Sequence, residues 1–191
     1  MSQTPWLLAW SAFAASVLMS AAPAAAGRPG DDAARQPHPL RTADAGSLKG
    51  RSVTATVGGV ALAGYLSQPE GKGPFPAVIM IHEWWGLNPQ IKEQADTLAK
   101  EGYVVFAPDL YHGKLATDPK TAGQYMNEVD PADALATLKA AYVWVKEQPT
   151  TRGKKIGSVG AFANPSGQNY KSEMAADAWK KTLAFFKTNL R

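Results

Sequence analysis

The chain has 191 residues, with 20 Lys and Arg against 16 Asp and Glu, a formal net charge of +4, and no cysteine. That length suits one domain with a sizeable core. The missing cysteine excludes a disulfide framework, a thiol nucleophile and a thiolate metal site, and basic residues spread along helices leave no footprint for nucleic acid.

From Pro5 to Ala26 the residues are almost all apolar or small, and no charged side chain precedes Arg28. Ala24-Ala25-Ala26 offers small residues at signal-peptidase spacing, so residues 1–26 read as a secretory signal peptide whose n-region charge is the terminal amine alone. An uncleaved anchor is the alternative at this length, and Pro23 with the alanine-rich tail weighs against it. The expected product is exported, periplasmic or secreted, with no stable membrane insertion after cleavage. Residues 27–50 mix Pro, Asp, Arg and Ala without period and read as a flexible leader. Residues 51–191 form the expected folded domain.

Ser52–Val57 and Val60–Leu66 are β-rich runs separated by Gly58-Gly59, which predicts an antiparallel hairpin at a sheet edge. Ala77–Ile81 is a short, continuous apolar run, the pattern of a parallel strand buried on both faces. Asn88 and Pro89 supply an N-cap and a first helical residue, and Ile91, Ala95, Leu98 and Ala99 supply an apolar stripe with Glu93 and Asp96 outside it. Glu101-Gly102 ends that helix, and Tyr103–Ala107 is the next buried strand, stopped by Pro108. Strand, helix and strand with short loops make a parallel, right-handed βαβ unit. Lys114–Val129 reads as a looser, partly helical segment. A long helix begins at Pro131-Ala132-Asp133, with Leu135, Leu138, Tyr142 and Val145 on one side. Lys155–Gly160 is a third parallel strand, and Ser172–Arg191 is an amphipathic helix with Met174, Ala178, Trp179, Leu183, Phe186 and Leu190 as its buried stripe.

Candidate chemistry collects at the carboxyl ends of these strands, where open α/β sheets bind ligands. His82, Glu83, Trp84, Trp85 and Gly86 follow the central strand, and Asp109, Leu110, Tyr111, His112 and Gly113 follow the next. A satisfied polar pair beneath a tryptophan lid is the bland reading of His82 and Glu83. A nucleophile elbow belongs after the third strand, yet Gly160-Ala161-Phe162-Ala163-Asn164 places a phenyl ring where the nucleophile would stand. Ser158 is a weak nucleophile candidate because it lies within the strand, and Ser166 suits a turn hydroxyl.

Val78-Ile79-Met80-Ile81-His82-Glu83-Trp84-Trp85-Gly86-Leu87-Asn88 and Gly102-Tyr103-Val104-Val105-Phe106-Ala107-Pro108-Asp109-Leu110-Tyr111 closely resemble the dienelactone hydrolase family. These α/β-hydrolases, carboxymethylenebutenolidases among them, open unsaturated lactones and related esters with a Cys-His-Asp triad. The likeness covers roughly Val60 to Gly160, and Ala161–Tyr170 with the Trp179 helix is similar to the family's C-terminal segment. The resemblance implies an α/β fold: a three-layer α/β/α sandwich with a truncated, mostly parallel sheet and the N-terminal hairpin at its edge. It implies that Glu83 is the family's glutamate beside the thiol, that Trp84 and Trp85 wall the pocket with His82 and Tyr111, and that His112-Gly113 stands where a substrate-facing arginine is frequent. It implies a small lactone or ester as ligand, and no cofactor or metal.

Gly160 resembles two family positions at once, the glycine closing the strand before the cysteine elbow and the residue of the catalytic histidine. Such a join at 160/161 implies an internal loss of at least two βα units, roughly 60 residues or more. The triad cysteine and aspartate then have no counterpart, and Gly160 stands for the histidine. The expectation is a hydrolase by descent that is inactive or severely impaired. The alternatives are a non-catalytic small-ligand-binding or oligomerising remnant, self-associating through an exposed apolar sheet edge, and metal-assisted hydrolysis by His82, Glu83, Asp109 and His112.

Overall fold

The computed structural model describes residues 49–161 and 170–191. The segments read as signal peptide and, but for its last two residues, as leader lie outside the described residues, as do the Phe162 and Ser166 positions. Among those described, no helix is long and apolar enough to cross a membrane.

The hairpin forms as expected from β1 (Arg51–Val57) and β2 (Val60–Ser67), paired antiparallel from Arg51↔Leu66 to Val57↔Val60. Gly58 and Gly59 both adopt positive φ, 57° and 83°, which a two-residue hairpin turn demands and glycine accepts without a Cβ clash. The central strand is β3 (Ala77–Ile81), followed by α1 (Pro89–Lys100) and β4 (Val104–Pro108). Then come α2 (Pro119–Glu128), α3 (Pro131–Glu147), β5 (Ile156–Gly160) and α4 (Ser172–Leu190). The sheet order is β1-β2-β4-β3-β5. β3 pairs in parallel with both β4 and β5, and β2 joins β4 antiparallel, so among the described residues the hairpin closes one side and β5 ends the other.

Helices cover both faces, giving the α/β-hydrolase type of three-layer sandwich. On one face Val78, Met80 and Val105 meet Ile91 and Leu98 of α1 and Phe186 and Leu190 of α4. On the other, Ile79, Val104 and Phe106 meet Ala141 and Val145 of α3. Strands β3 and β4 are buried on both sides because of this double cover, which is why neither shows polar alternation.

Local signals set the helix starts. The Asn88 side chain accepts from the Ile91 amide at 3.1 Å, and Pro89 takes the first helical position. Asp118-Pro119 and Asp130-Pro131 repeat the device at α2 and α3. The segment expected to be partly helical, Lys114–Val129, accordingly contains a regular ten-residue helix.

Three expectations about faces are corrected. Helix α3 buries Thr137, Ala140, Ala141 and Val145, whereas Leu135 is 41% and Tyr142 is 46% exposed. Its small residues let the helix approach the sheet closely, while the larger apolar side chains turn outward. Asp96 is only 6% exposed, inside the α1 contact and not outside it. It is held by hydrogen bonds from the Lys49 amide at 2.8 Å, the Gly50 amide at 3.1 Å and the Tyr65 hydroxyl at 2.9 Å. Met174 is 66% exposed, so the buried part of α4 is its C-terminal half, where Leu190 closes on Gly157 of β5.

Candidate functional site

β3 and β4 run side by side and deliver two polar turns to one end of the sheet. The first turn is fixed by backbone bonds: the Gly86 amide donates to the Glu83 carbonyl at 3.1 Å, and the Asn88 amide donates to the Gly86 carbonyl at 2.9 Å. Gly86 has φ 89°, and a Cβ there would stand 2.6 Å from the Lys114 carbonyl oxygen, so glycine is required by both conformation and space. The Ala116 amide donates to the Trp85 carbonyl at 3.1 Å, which ties this turn to the segment after β4.

The second turn is organised by Asp109. Its carboxylate accepts from the Tyr111 amide at 3.0 Å and the Gly113 amide at 2.7 Å, while its own amide donates to the Ala63 carbonyl at 2.9 Å. This capping turn holds His112 at φ 52°, a left-handed conformation uncommon for a side chain of that size.

His82 joins the two turns. Its Nε2 accepts from the Leu110 amide at 3.1 Å, so the ring proton resides on Nδ1, which donates to the Glu83 carbonyl at 2.7 Å. Burial pushes its pKa below the ordinary 6.5, with the Glu83 carbonyl and Asp109 opposing, and the ring is neutral. Tyr111 lies against it edge-on, with ring centroids 4.8 Å apart, and burial raises the phenol's pKa. Both ring nitrogens are occupied within the protein, so His82 is a strap between strand ends and not a ligand-facing group.

The other predicted residues separate into two neighbourhoods. Trp84 and Trp85 stack edge-on at 5.0 Å, with Trp84 exposed and Glu83 half-buried beside them. His112 points away, its Nε2 3.0 Å from the Asp133 carboxylate on the exposed side of α3. His112 lines two cavities. One, of about 590 Å³, lies along the hairpin with Thr54, Thr56, Ala63 and Asp109; the other, of about 200 Å³, lies beside Tyr111, Tyr125 and Glu128. Neither is lined by Glu83, Trp84 or Trp85. Ser158 is exposed in the middle of β5. The four residues of the metal alternative do not come together in this geometry. His82 has no free nitrogen and His112 is turned to Asp133. Among the described residues no three His, Asp or Glu side chains gather to hold an ion.

Sequence reading missed the buried group Tyr65–Asp96, although Asp96 directly follows the core alanine at position 95 and precedes Leu98 by two. A carboxylate inside an apolar stripe was the available signal. The Tyr65 hydroxyl also accepts from the Gly50 amide at 2.7 Å, and its pKa is pushed up to about 12, first by burial and then by Asp96.

The sandwich, the capped α1 after the central strand and the two polar turns at one sheet end define an α/β-hydrolase. A match to the Dienelactone hydrolase family covers residues 62–160, just over half of the chain, and the protein belongs to that family. Among similar proteins, Protein usf of Aquifex pyrophilus is 43% identical over 119 residues, covering 58% of this chain and 50% of its own. A putative carboxymethylenebutenolidase of Aquifex aeolicus is 41% identical over 119 residues, with the same coverage. The crystal structure of a dienelactone hydrolase-like promiscuous phosphotriesterase from metagenomic libraries superposes with a TM-score of 0.51 at 29% identity, covering 59% of this chain and 48% of that one. The chain thus spans about half the length of the curated relatives it matches.

Proposed function

We propose that this protein is a hydrolase of lactones or carboxylic esters by descent whose turnover is lost or severely impaired, because an internal loss at the 160/161 join removed the nucleophile, the aspartate and the histidine. The observation that carries this reading is the coincidence of three features at one point. The family match ends at residue 160, the sequence just beyond it carries Phe162 where a nucleophile would stand, and among the described residues the sheet ends with the strand that Gly160 closes. Without a nucleophile and its base the covalent acyl route has no first step, and residual electrostatic stabilisation does not restore normal rates. Ser158 makes a poor substitute, because a hydroxyl in mid-strand lacks the strained turn that lifts a nucleophile above a sheet.

What remains is a binding role. A small lactone or ester would lie against Glu83, Trp84, Trp85 and Tyr111, with the exposed Trp84 face supplying apolar contact. Self-association through the exposed edge is the companion role. The domain division into signal peptide (1–26), leader (27–50) and catalytically incomplete domain (51–191), with export of the product, belongs to the same proposal and rests on the N-terminal apolar run.

The test is an assay of the purified protein with lactone and aryl-ester substrates. The expected result is turnover indistinguishable from buffer. Turnover that disappears in Glu83→Ala or Ser158→Ala would overturn the proposal.

A further inference from the structure

We infer that two copies of this chain join through β5, antiparallel about a two-fold axis at Ser158, so that the two five-stranded sheets become one. The inference deepens the self-association named above and rests on the reading that this sheet ends at β5.

The backbone shows which groups β5 leaves open. The Ala77 amide donates to the Lys155 carbonyl at 3.1 Å, and the Ala161 amide donates to the Ile81 carbonyl at 2.7 Å. Both groups of a strand residue point to the same side and successive residues alternate, so Lys155, Gly157, Val159 and Ala161 address β3. Ile156, Ser158 and Gly160 therefore direct their amides and carbonyls to the edge that no other described strand covers. Antiparallel pairing with Ser158 opposite Ser158 sets Ile156 opposite Gly160 at both ends. All three outward residues then fall in hydrogen-bonded pairs, giving about six bonds between the copies. Centring the axis on Gly157 or Val159 leaves one outward residue of each copy unused.

The strand also lacks what usually blunts an edge. Between Ile156 and Gly160 there is no charge and no proline. β1, at the opposite edge, opens with Arg51 and exposes Ser52, Thr54 and Thr56. Charge selects the orientation. Lys154 and Lys155 are exposed just before β5. Parallel pairing would set them beside the same lysines of the second copy. Antiparallel pairing carries them to the other end, where the partner's β3 runs out into its Glu83 turn. A second copy thus satisfies the edge and separates its like charges.

The experiment uses protein purified from a host expressing the full 191-residue chain. Light scattering across a dilution series is expected to give a dimer that dissociates on dilution. Ser158→Pro removes an outward amide while leaving every bond to β3 in place, and edge strands accept proline there. It should weaken the dimer at least about tenfold, since both copies lose a bond. Ser158→Cys introduces the only thiol in the protein. Hydrogen-bonded antiparallel partners stand about 5.5 Å apart at Cα, within disulfide reach. Mild oxidation should therefore yield a covalent dimer from Ser158→Cys and none from Thr54→Cys on β1. A monomer at all concentrations, a dimer indifferent to Ser158→Pro, or cross-linking only from Thr54→Cys would overturn the inference. A monomer without turnover would sink this pairing alone, whereas ester turnover would sink the functional proposal whatever the assembly.

Discussion

His82 illustrates how one side chain changes meaning once its neighbours are known. A histidine after a core strand invites catalytic roles, but its two nitrogens close the gap between the β3 and β4 turns. Because the fold favours the neutral ring, the unfolded chain takes up a proton first as the pH falls. The strap's contribution is therefore intact above pH 6.5 and is lost as the pH falls through the lowered folded value. Thermal unfolding followed from pH 7.5 to 5 should show a falling midpoint, and His82→Gln should flatten that slope. The Tyr65–Asp96 pair behaves oppositely. A phenol raised to about 12 keeps its stabilisation up to pH 10 and loses it above, as the unfolded chain ionises first. Tyr65→Phe removes a donor to a buried carboxylate and an acceptor for the Gly50 amide, which should cost about 1–3 kcal/mol in urea unfolding.

At the scale of elements, starts and types were readable because they depend on neighbours in sequence. Asn88-Pro89 caps α1 through a contact three residues long, and Gly58-Gly59 turns the hairpin by its own backbone freedom. Faces were less readable. Helix α3 is apolar around much of its circumference, so periodicity offered Leu135 and Tyr142 as readily as Ala140 and Ala141. Contact with β2 and β4 selected the small residues. Two substitutions separate these alternatives by urea denaturation. Ala141→Leu should destabilise by about 1–3 kcal/mol through overpacking, whereas Leu135→Lys should stay within about 0.5 kcal/mol. Gly157 makes the corresponding point for α4. A Cβ there would meet the Leu190 side chain at 3.0 Å, so Gly157→Ala should loosen the C-terminal helix and lower the melting midpoint.

For the whole molecule, the governing fact is a sheet whose parallel part, among the described residues, stops at β5 beside a β3 that is buried up to its last residue, Ile81. The domain offers a large apolar core on either side of β3 and β4, but β5 is covered by α4 on one face, while on the other only Ile156 packs against the core and Ser158 and Gly160 are exposed. If pairing through β5 supplies part of the stability, the thermal midpoint should rise with protein concentration, since association stabilises the folded form by mass action. Scanning calorimetry over a hundredfold concentration range would register it, and a constant midpoint would count against it.

By itself the sequence determined the strand and helix succession, the caps, the family and the absence of any cysteine, since each is written in residue identity and spacing over short stretches. The tertiary structure alone decided that His82 faces inward as a strap, that Asp96 is buried, that His112 turns to Asp133, and which face of α3 meets the sheet. Those outcomes depend on which distant backbone amides and small side chains arrive beside a given residue, and only the folded sheet brings them there.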